Sequence, residues 1–231
     1  ILAVPASHVT GLVAIILTLI RMCGTTVLMP VFKARAFLEL AARERMTHAL
    51  LVPAMYNLCL LDPDFAKFHL ASWRVGGFGG APMPVATIEK VAAVLPNLTL
   101  VNIYGSTETT SPVTMLPLGE VATRGDTVGK PLPGVNIVVM DDDGREVAPG
   151  VSGELWIAGP MVVPGYWQNP DADRAGFCAG YWKSGDIGSV DAQGYVRVFD
   201  RKKDMINRGG YKVYCIEVEG VLARHPGVIE C

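Results

Sequence analysis

Cysteine is sparse and unpatterned in this chain. Cys23, Cys59, Cys178, Cys215 and Cys231 are odd in number, and no two stand as C-x-x-C. That excludes a C-x-x-C zinc or redox motif and fits reduced thiols in a cytoplasmic protein. Histidine is scarcer, at four, and the four show no metal-ligand spacing. An excess of charge is also missing, with 20 basic residues against 22 acidic ones. There is accordingly no electrostatic case for a nucleic acid or an anionic membrane surface as partner. Residues 1–20 contain no Asp, Glu, Lys or Arg, and their length alone permits a membrane span. Pro5, Ser7, His8, Thr10 and Gly11 interrupt that run, however. Residues 12–20 are left as a block too short to cross a bilayer, and they read as a buried core helix. No transmembrane segment is expected. No signal peptide is expected, given the lack of a basic start and of a small-residue cleavage site.

Half of the residues are hydrophobic, enough for a sizeable core in one large domain or two smaller ones. The chain does not begin with Met and reads as a fragment of a longer protein. Up to about residue 104, strand-like runs (1–4, 25–29, 49–52, 74–78 and 98–104) alternate with helical patterns (12–20, 34–45 and 85–95). In 34–45, Phe37, Leu38, Leu40 and Ala41 form one stripe, and Arg35, Glu39, Arg43 and Glu44 face water. Such alternation predicts an α/β fold with a parallel sheet and helices packed on it. Ligands of these sheets sit beyond the carboxyl ends of the strands. After Pro112 strands shorten and turns multiply, which predicts a β-rich, barrel-like part. The triple aspartate 141–143 fails as an EF-hand, because Val139 and Gly150 stand where oxygen ligands belong, and it reads as a hairpin turn. Asp191-Ala192-Gln193-Gly194 repeats that device. The charged stretch 200–204 separates the β-rich part from a further mixed unit, in which 216–224 reads as a helix. The expected division is 1–111, a partial α/β domain; 112–200, the β-rich subdomain; and 201–231, the start of a small α+β lid.

Two phosphate signatures nearly occur. Residues 125–131 resemble a P-loop, but the glycines stand one residue too close and Pro131 replaces the metal-binding hydroxyl. The glycines of 76–80 fit no G-x-G-x-x-G register and read as flexible turn backbone. Gly79, Gly80, Ala81 and Pro82 leave room for a flat ligand against the main chain, or form a simple turn before a helix. In YGSTE (104–108), the Ser106 and Thr107 hydroxyls and free backbone N–H groups suit phosphate oxygens, and Glu108 suits Mg²⁺. A polar loop with a capping Ser or Thr explains the same residues. In YWKSGD (181–186), Asp186 at a loop–strand boundary suits a ribose diol or is a turn aspartate.

Taken in order, GGAPMP (79–84), NIYGSTETT (102–110), VGKPLPG (128–134), GELWIAGPMVVPGYW (153–167), GYWKSGDIG (180–188) and VFDRKKDMINRGGYKVYCIEVE (198–219) resemble the adenylate-forming enzymes, with VPASHVTGL (4–12) a weaker match. The wording looks most like acyl-CoA synthetases, fatty-acid–CoA ligases among them. The resemblance implies an enzyme that activates a carboxylic acid with ATP and Mg²⁺ as an acyl-adenylate, releases pyrophosphate, and passes the acyl group to coenzyme A. It implies that Gly80, Ala81 and Pro82 line the adenine and acyl pocket, with Gly79 and Phe78 beside it. Tyr104 would stack near adenine, with Gly105 and Ser106 following. Thr107 would touch phosphate and Glu108 would hold Mg²⁺. Asp186 would bind the ribose hydroxyls, with Arg201 nearby, and His8 would sit where the acyl and adenylate sites meet. Lys203 falls at the family's hinge; Gly209, Gly210 and Lys212 would approach CoA. The Lys-containing phosphate loop and the C-terminal catalytic lysine of the family are absent from these residues. Pro164 and Cys215 replace a frequent basic residue and a frequent Pro. An inactive fragment of an active parent is therefore expected. Two other readings are an adenylation domain loading a carrier protein and a non-catalytic nucleotide-binding scaffold.

Overall fold

The computed structural model describes the chain apart from residues 111, 209, 210, 223, 224, 226 and 229–231, and gives the backbone alone at 207, 211, 212 and 216. The chain forms two compact units, Ile1–Gly125 and Asp126–Cys231.

In the first unit, a π-helical stretch Thr10–Leu17 runs into helix α1 (Thr18–Arg21). There follow α2 (Ala34–Arg43), β1 (His48–Leu51), α3 (Pro53–Leu60), β2 (Val75–Phe78), α4 (Val85–Val94), β3 (Thr99–Tyr104), β4 (Thr114–Met115) and α5 (Val121–Arg124). Strands β1, β2 and β3 are parallel neighbours in that order, and β4 pairs antiparallel with β3. Helices α3 and α4 are the crossovers that parallel pairing requires. Helix α2 buries Phe37, Leu38 and Ala41, the expected stripe. The Phe37 ring meets Trp73 edge-on at 5.9 Å, and Trp73 stacks on Tyr56 at the same distance. The Tyr56 hydroxyl donates to the Gly77 carbonyl at 3.0 Å, which docks α3 on β2. Gly76 and Gly77 are thus strand residues rather than turn backbone.

The amino-terminal segment differs from expectation. Residues 1–4 and 25–29 form a single parallel bridge, Leu2 to Leu28, in place of two strands. The helix over 10–21 buries Gly11 and Ile15 and leaves Leu12, Leu17 and Ile20 exposed, so it is not a buried core helix. A helix apolar on every side has more surface than one neighbour can cover. Here the helix contributes Ile15, Ile16 and Leu19 to a small cluster with Leu2, Val4, Leu50 and Met55. Among the described residues no helix is long and apolar enough to cross a membrane.

The second unit holds β5 (Lys130–Pro131), β6 (Asn136–Met140), β7 (Gly153–Ala158), α6 (Pro170–Gly176), β8 (Phe177–Cys178), β9 (Tyr181–Val190) and β10 (Val196–Arg201). Its antiparallel sheet, a curled half-barrel, runs β10-β9-β7-β6, with β8 folded onto β9. Leu155 and Ile157 of β7 point inward with no exposed surface, and Lys183 lies 5.1 Å over the outward Trp156 ring. The expected aspartate turns are present. Asp141 Oδ1 accepts the Arg145 N–H, and Asp191 Oδ1 accepts those of Gln193 and Tyr195. A hairpin of β11 (Ile206–Arg208) and β12 (Tyr211–Val213) then leads into α7 (Cys215–Leu222).

Candidate active site

In the first unit, candidate residues gather at one edge of the parallel sheet. The registers pair Leu51 with Phe78 and Phe78 with Asn102, so β1 and β2 end level and β3 continues past them to Tyr104. Gly79 leaves β2 so close to β3 that a Cβ there would stand 2.4 Å from the Ile103 carbonyl oxygen. Only glycine permits that approach, and it brings the 80–82 loop beside the exit of β3. Gly80 has φ +79°, and Gly80, Ala81 and Pro82 are exposed. Phe78 is a core side chain, 1% exposed.

Beyond Tyr104, which is half-buried, and exposed Gly105, the chain makes a single 3₁₀ turn, Thr107–Thr109. The Ser106 hydroxyl accepts the Thr109 N–H, while Thr109 Oγ1 accepts the Ser106 N–H at 2.9 Å. This reciprocal cap is the polar-loop explanation, and it applies to Ser106. Thr107 is left exposed at the head of the turn and Glu108 half-buried behind it. His8 is exposed; its Nδ1 accepts the Thr10 N–H at 3.3 Å, which in a neutral ring leaves the proton on Nε2.

A groove of about 410 Å³ lies elsewhere on this unit, lined by Phe65, Trp73, Leu95 and Leu98 among others. It sits where β2 and β3 begin, whereas ligands of parallel sheets sit where the strands end. It is therefore not the candidate site.

In the second unit, the candidate residue is Asp186, in the middle of β9 rather than at a loop–strand boundary. The strand is distorted there. Glu154 pairs with Ile187 and Trp156 with Lys183, so Ser184, Gly185 and Asp186 together face Leu155 alone. On the other side, the β10 register slips between Val198 and Asp200. Bulges of this kind re-aim side chains beside active sites. Ser184 replaces the lost ladder bonds. Its buried hydroxyl donates to the Leu155 carbonyl at 2.6 Å and accepts the Asp186 N–H at 3.0 Å. Gly185 takes φ +70°, a left-handed turn that disfavours any side chain. Asp186 is 3% exposed, and its carboxylate receives Arg201 Nε on Oδ1 at 2.8 Å. A turn aspartate held only by solvent is excluded by that burial.

Lys202 follows. Its N–H donates to the Gly185 carbonyl at 2.7 Å, and its ammonium reaches Asp142 and Glu154, each at 3.2 Å. Partial burial pulls the Lys202 pKa down, but the hydrogen bonds to Asp142 and Glu154 outweigh it and hold the ammonium above its ordinary value. Lys203 is exposed in the turn after β10 and makes no ion pair among the described residues. Buried Asp200 accepts the N–H of Cys215, the first residue of α7, at 2.6 Å, and burial raises the Cys215 thiol pKa. Gly209 and Gly210 lie outside the described residues. Lys212 is placed by its backbone alone, opposite Asn207.

The sequence reading missed Ser184, Glu154 and Lys202. A hydroxyl two residues before Asp186 was the available sign for Ser184. Nothing local marks Glu154, whose partners come from β9 and from the end of β10.

A parallel sheet with a small-residue exit and, later in the chain, a bulged antiparallel sheet carrying a buried aspartate–arginine pair make up an α/β fold of the kind seen in AMP-binding enzymes. The chain belongs to the AMP-binding enzyme family, whose model matches residues 1–167. It is 34% identical over its whole length to a feruloyl-CoA synthase of Amycolatopsis, of which it covers 47%. It is 38% identical over 211 residues to a fatty acid–[acyl-carrier-protein] ligase of Streptomyces coeruleorubidus, covering 90% of this chain and 40% of that protein. Among solved structures, the O-succinylbenzoate coenzyme A synthetase of Bacillus subtilis in complex with ATP and magnesium superposes with a TM-score of 0.86 at 31% identity. That match covers 99% of this chain and 46% of the other. The chain thus spans about half the length of the relatives it matches.

Proposed function

We propose that the parent of this chain is an AMP-forming acid–thiol ligase. A substrate carboxylate oxygen attacks the α-phosphorus of ATP, the bond to the β-phosphate breaks, and pyrophosphate leaves. A thiol sulfur then attacks the acyl carbon, AMP departs, and the thiol proton passes to solvent. Most of the catalytic work in such phosphoryl chemistry is positioning and charge neutralisation.

The observation that carries this reading is the buried Asp186 in the β9 bulge. A carboxylate held by Arg201 on one side and fixed through its own N–H by Ser184 is a preorganised acceptor for ribose hydroxyls. Arg201 orients that carboxylate. Gly80, Ala81 and Pro82 offer exposed, nearly side-chain-free surface to the adenine and acyl group, beside Tyr104. Thr107 presents a hydroxyl and the first N–H groups of a 3₁₀ turn to phosphate. Glu108, on the same turn, holds the magnesium, which when bound neutralises phosphate charge. Lys203, exposed just beyond the last residue tied to β9, acts as the hinge, and Lys212 with the glycines before it approaches coenzyme A. His8 serves the acyl side.

CoA as acceptor has support from the feruloyl-CoA synthase and the O-succinylbenzoate CoA synthetase. A carrier-protein thiol is the second reading, supported by the likeness to the acyl-carrier-protein ligase. The ribose assignment is tested by Asp186→Ala in the parent. Losing a hydrogen-bonded charged acceptor is expected to weaken ATP binding by about tenfold or more. Unchanged ATP affinity would remove the assignment.

A further inference from the structure

Gly185 is the residue whose backbone decides where the Asp186 carboxylate points, and both its polar groups are held from outside β9. Its N–H donates to Glu154 Oε1 at 3.2 Å, and its carbonyl accepts the Lys202 N–H at 2.7 Å. The same Glu154 carboxylate, only 14% exposed, binds the Lys202 ammonium through Oε2 at 3.2 Å. Glu154 therefore closes a ring. One oxygen fixes the bulge before Asp186, and the other fixes the residue after Arg201, the aspartate's own partner. A peptide at φ +70° inside a strand has lost its ladder partners, so its orientation rests on these bonds.

We propose that Glu154 is a positioning residue for ribose recognition. It acts through Gly185 and Lys202, aiming Asp186 and Arg201 without touching the nucleotide. The inference rests on the ribose role assigned to Asp186 above. Its consequence is selective. Loosening the bulge degrades only contacts made by Asp186, that is, contacts to ribose hydroxyls. Contacts to adenine and phosphate are left as they were. A residue that merely stabilised the sheet would weaken all nucleotide binding alike.

The test compares equilibrium binding of ATP with that of 2′,3′-dideoxy-ATP, which lacks both hydroxyls, in the parent protein and its variants. Glu154→Ala is expected to weaken ATP about fivefold to tenfold, the loss of one partly buried charge-assisted bond. Dideoxy-ATP affinity is expected to stay within twofold, about the change that rim contacts give. Glu154→Gln keeps a neutral acceptor for the Gly185 N–H and is expected to fall between, with the same selectivity; it carries the comparison if the alanine variant does not fold. Equal weakening of both nucleotides, or no weakening of either, overturns the proposal. Asp186→Ala, measured alongside, separates the two claims. If it too leaves ATP unaffected, the ribose assignment itself fails. If it alone erases the preference for ATP over dideoxy-ATP, the positioning role of Glu154 fails.

Discussion

Replacing Ser184 by alanine removes one oxygen that does two jobs. The hydroxyl is buried; it donates to the Leu155 carbonyl at 2.6 Å and accepts the Asp186 N–H at 3.0 Å. Because β9 bulges opposite Leu155, no ladder partner is positioned to take over either group. Each orphaned buried group costs about 1–3 kcal/mol, so the pair comes to about 2–6 kcal/mol, towards the lower end if a water enters the vacated space. Against a total stability of about 5–15 kcal/mol this is a large fraction. For a folding unit of about 150–250 residues each kcal/mol lowers the melting temperature by about 2–4 °C, so the unit that holds β9 is expected to melt at least ~4 °C lower. Thermal melts of the parent and the Ser184→Ala variant read the effect, and ATP titration of the same samples reads the accompanying loss of affinity. A melting temperature within about 1 °C of the parent's would refute the claim that Ser184 holds the bulge together.

Gly79→Ala places a Cβ 2.4 Å from the Ile103 carbonyl, so the backbones must part by 0.6 Å (3.0 minus 2.4) even to reach the limit that real Cβ atoms respect. A destabilisation of about 1–3 kcal/mol in urea unfolding is expected. Gly220→Ala, where an added Cβ meets nothing within 4 Å in helix α7, is expected to be neutral or slightly stabilising; equal effects of the two would contradict the close approach. Burial, aided by the Asp62 carboxylate, pushes the Cys59 thiol up to about 12 from its ordinary 9.0. The folded thiol keeps its proton where the unfolded one loses it, so stability is full below pH 9 and falls from there towards pH 12, by at most ~1.4 kcal/mol per unit. Cys59→Ala is expected to flatten that fall, leaving the part due to Tyr56, whose hydroxyl burial also raises; an unchanged slope would contradict the assignment. Glu108→Gln in the parent is expected to raise the magnesium concentration needed for activity while leaving metal-free ATP binding intact, and an unchanged magnesium dependence would remove the metal role.

The parallel sheet was legible because its helices carry a 3.6-residue stripe and its strands end in small residues. Helix α2 and strands β1 to β3 lie within a few residues of where the pattern put them. Helix α3 was not legible, since Ala54, Met55, Leu58 and Leu60 leave it no polar face to mark a period. Helix α6 went unread although Asn169 and Pro170 are an N-cap and first-turn proline, and Asn169 does accept the Ala172 N–H. In the site, motif residues such as Thr107 and Glu108 could be named from local chemistry. The β9 bulge could not, because it is a property of three strands in register. A glycine and an aspartate inside a polar stretch look like a turn until Leu155, Glu154 and Arg201 are brought alongside. The division of roles within YGSTE was likewise hidden, since only the fold shows that Ser106 and Thr109 cap each other and leave Thr107 exposed.

Formation of an acyl thioester by the parent protein is the decisive assay. The parent is incubated with ATP, Mg²⁺, CoA and a panel of acids graded in length and including aromatic ones. Pyrophosphate and AMP should appear together, in step with an acyl-CoA product, and only when an acid of the panel is present. ATP turnover to ADP and phosphate, or no acid-dependent pyrophosphate from any member of the panel, would contradict the assignment of this chain to an acid–thiol ligase.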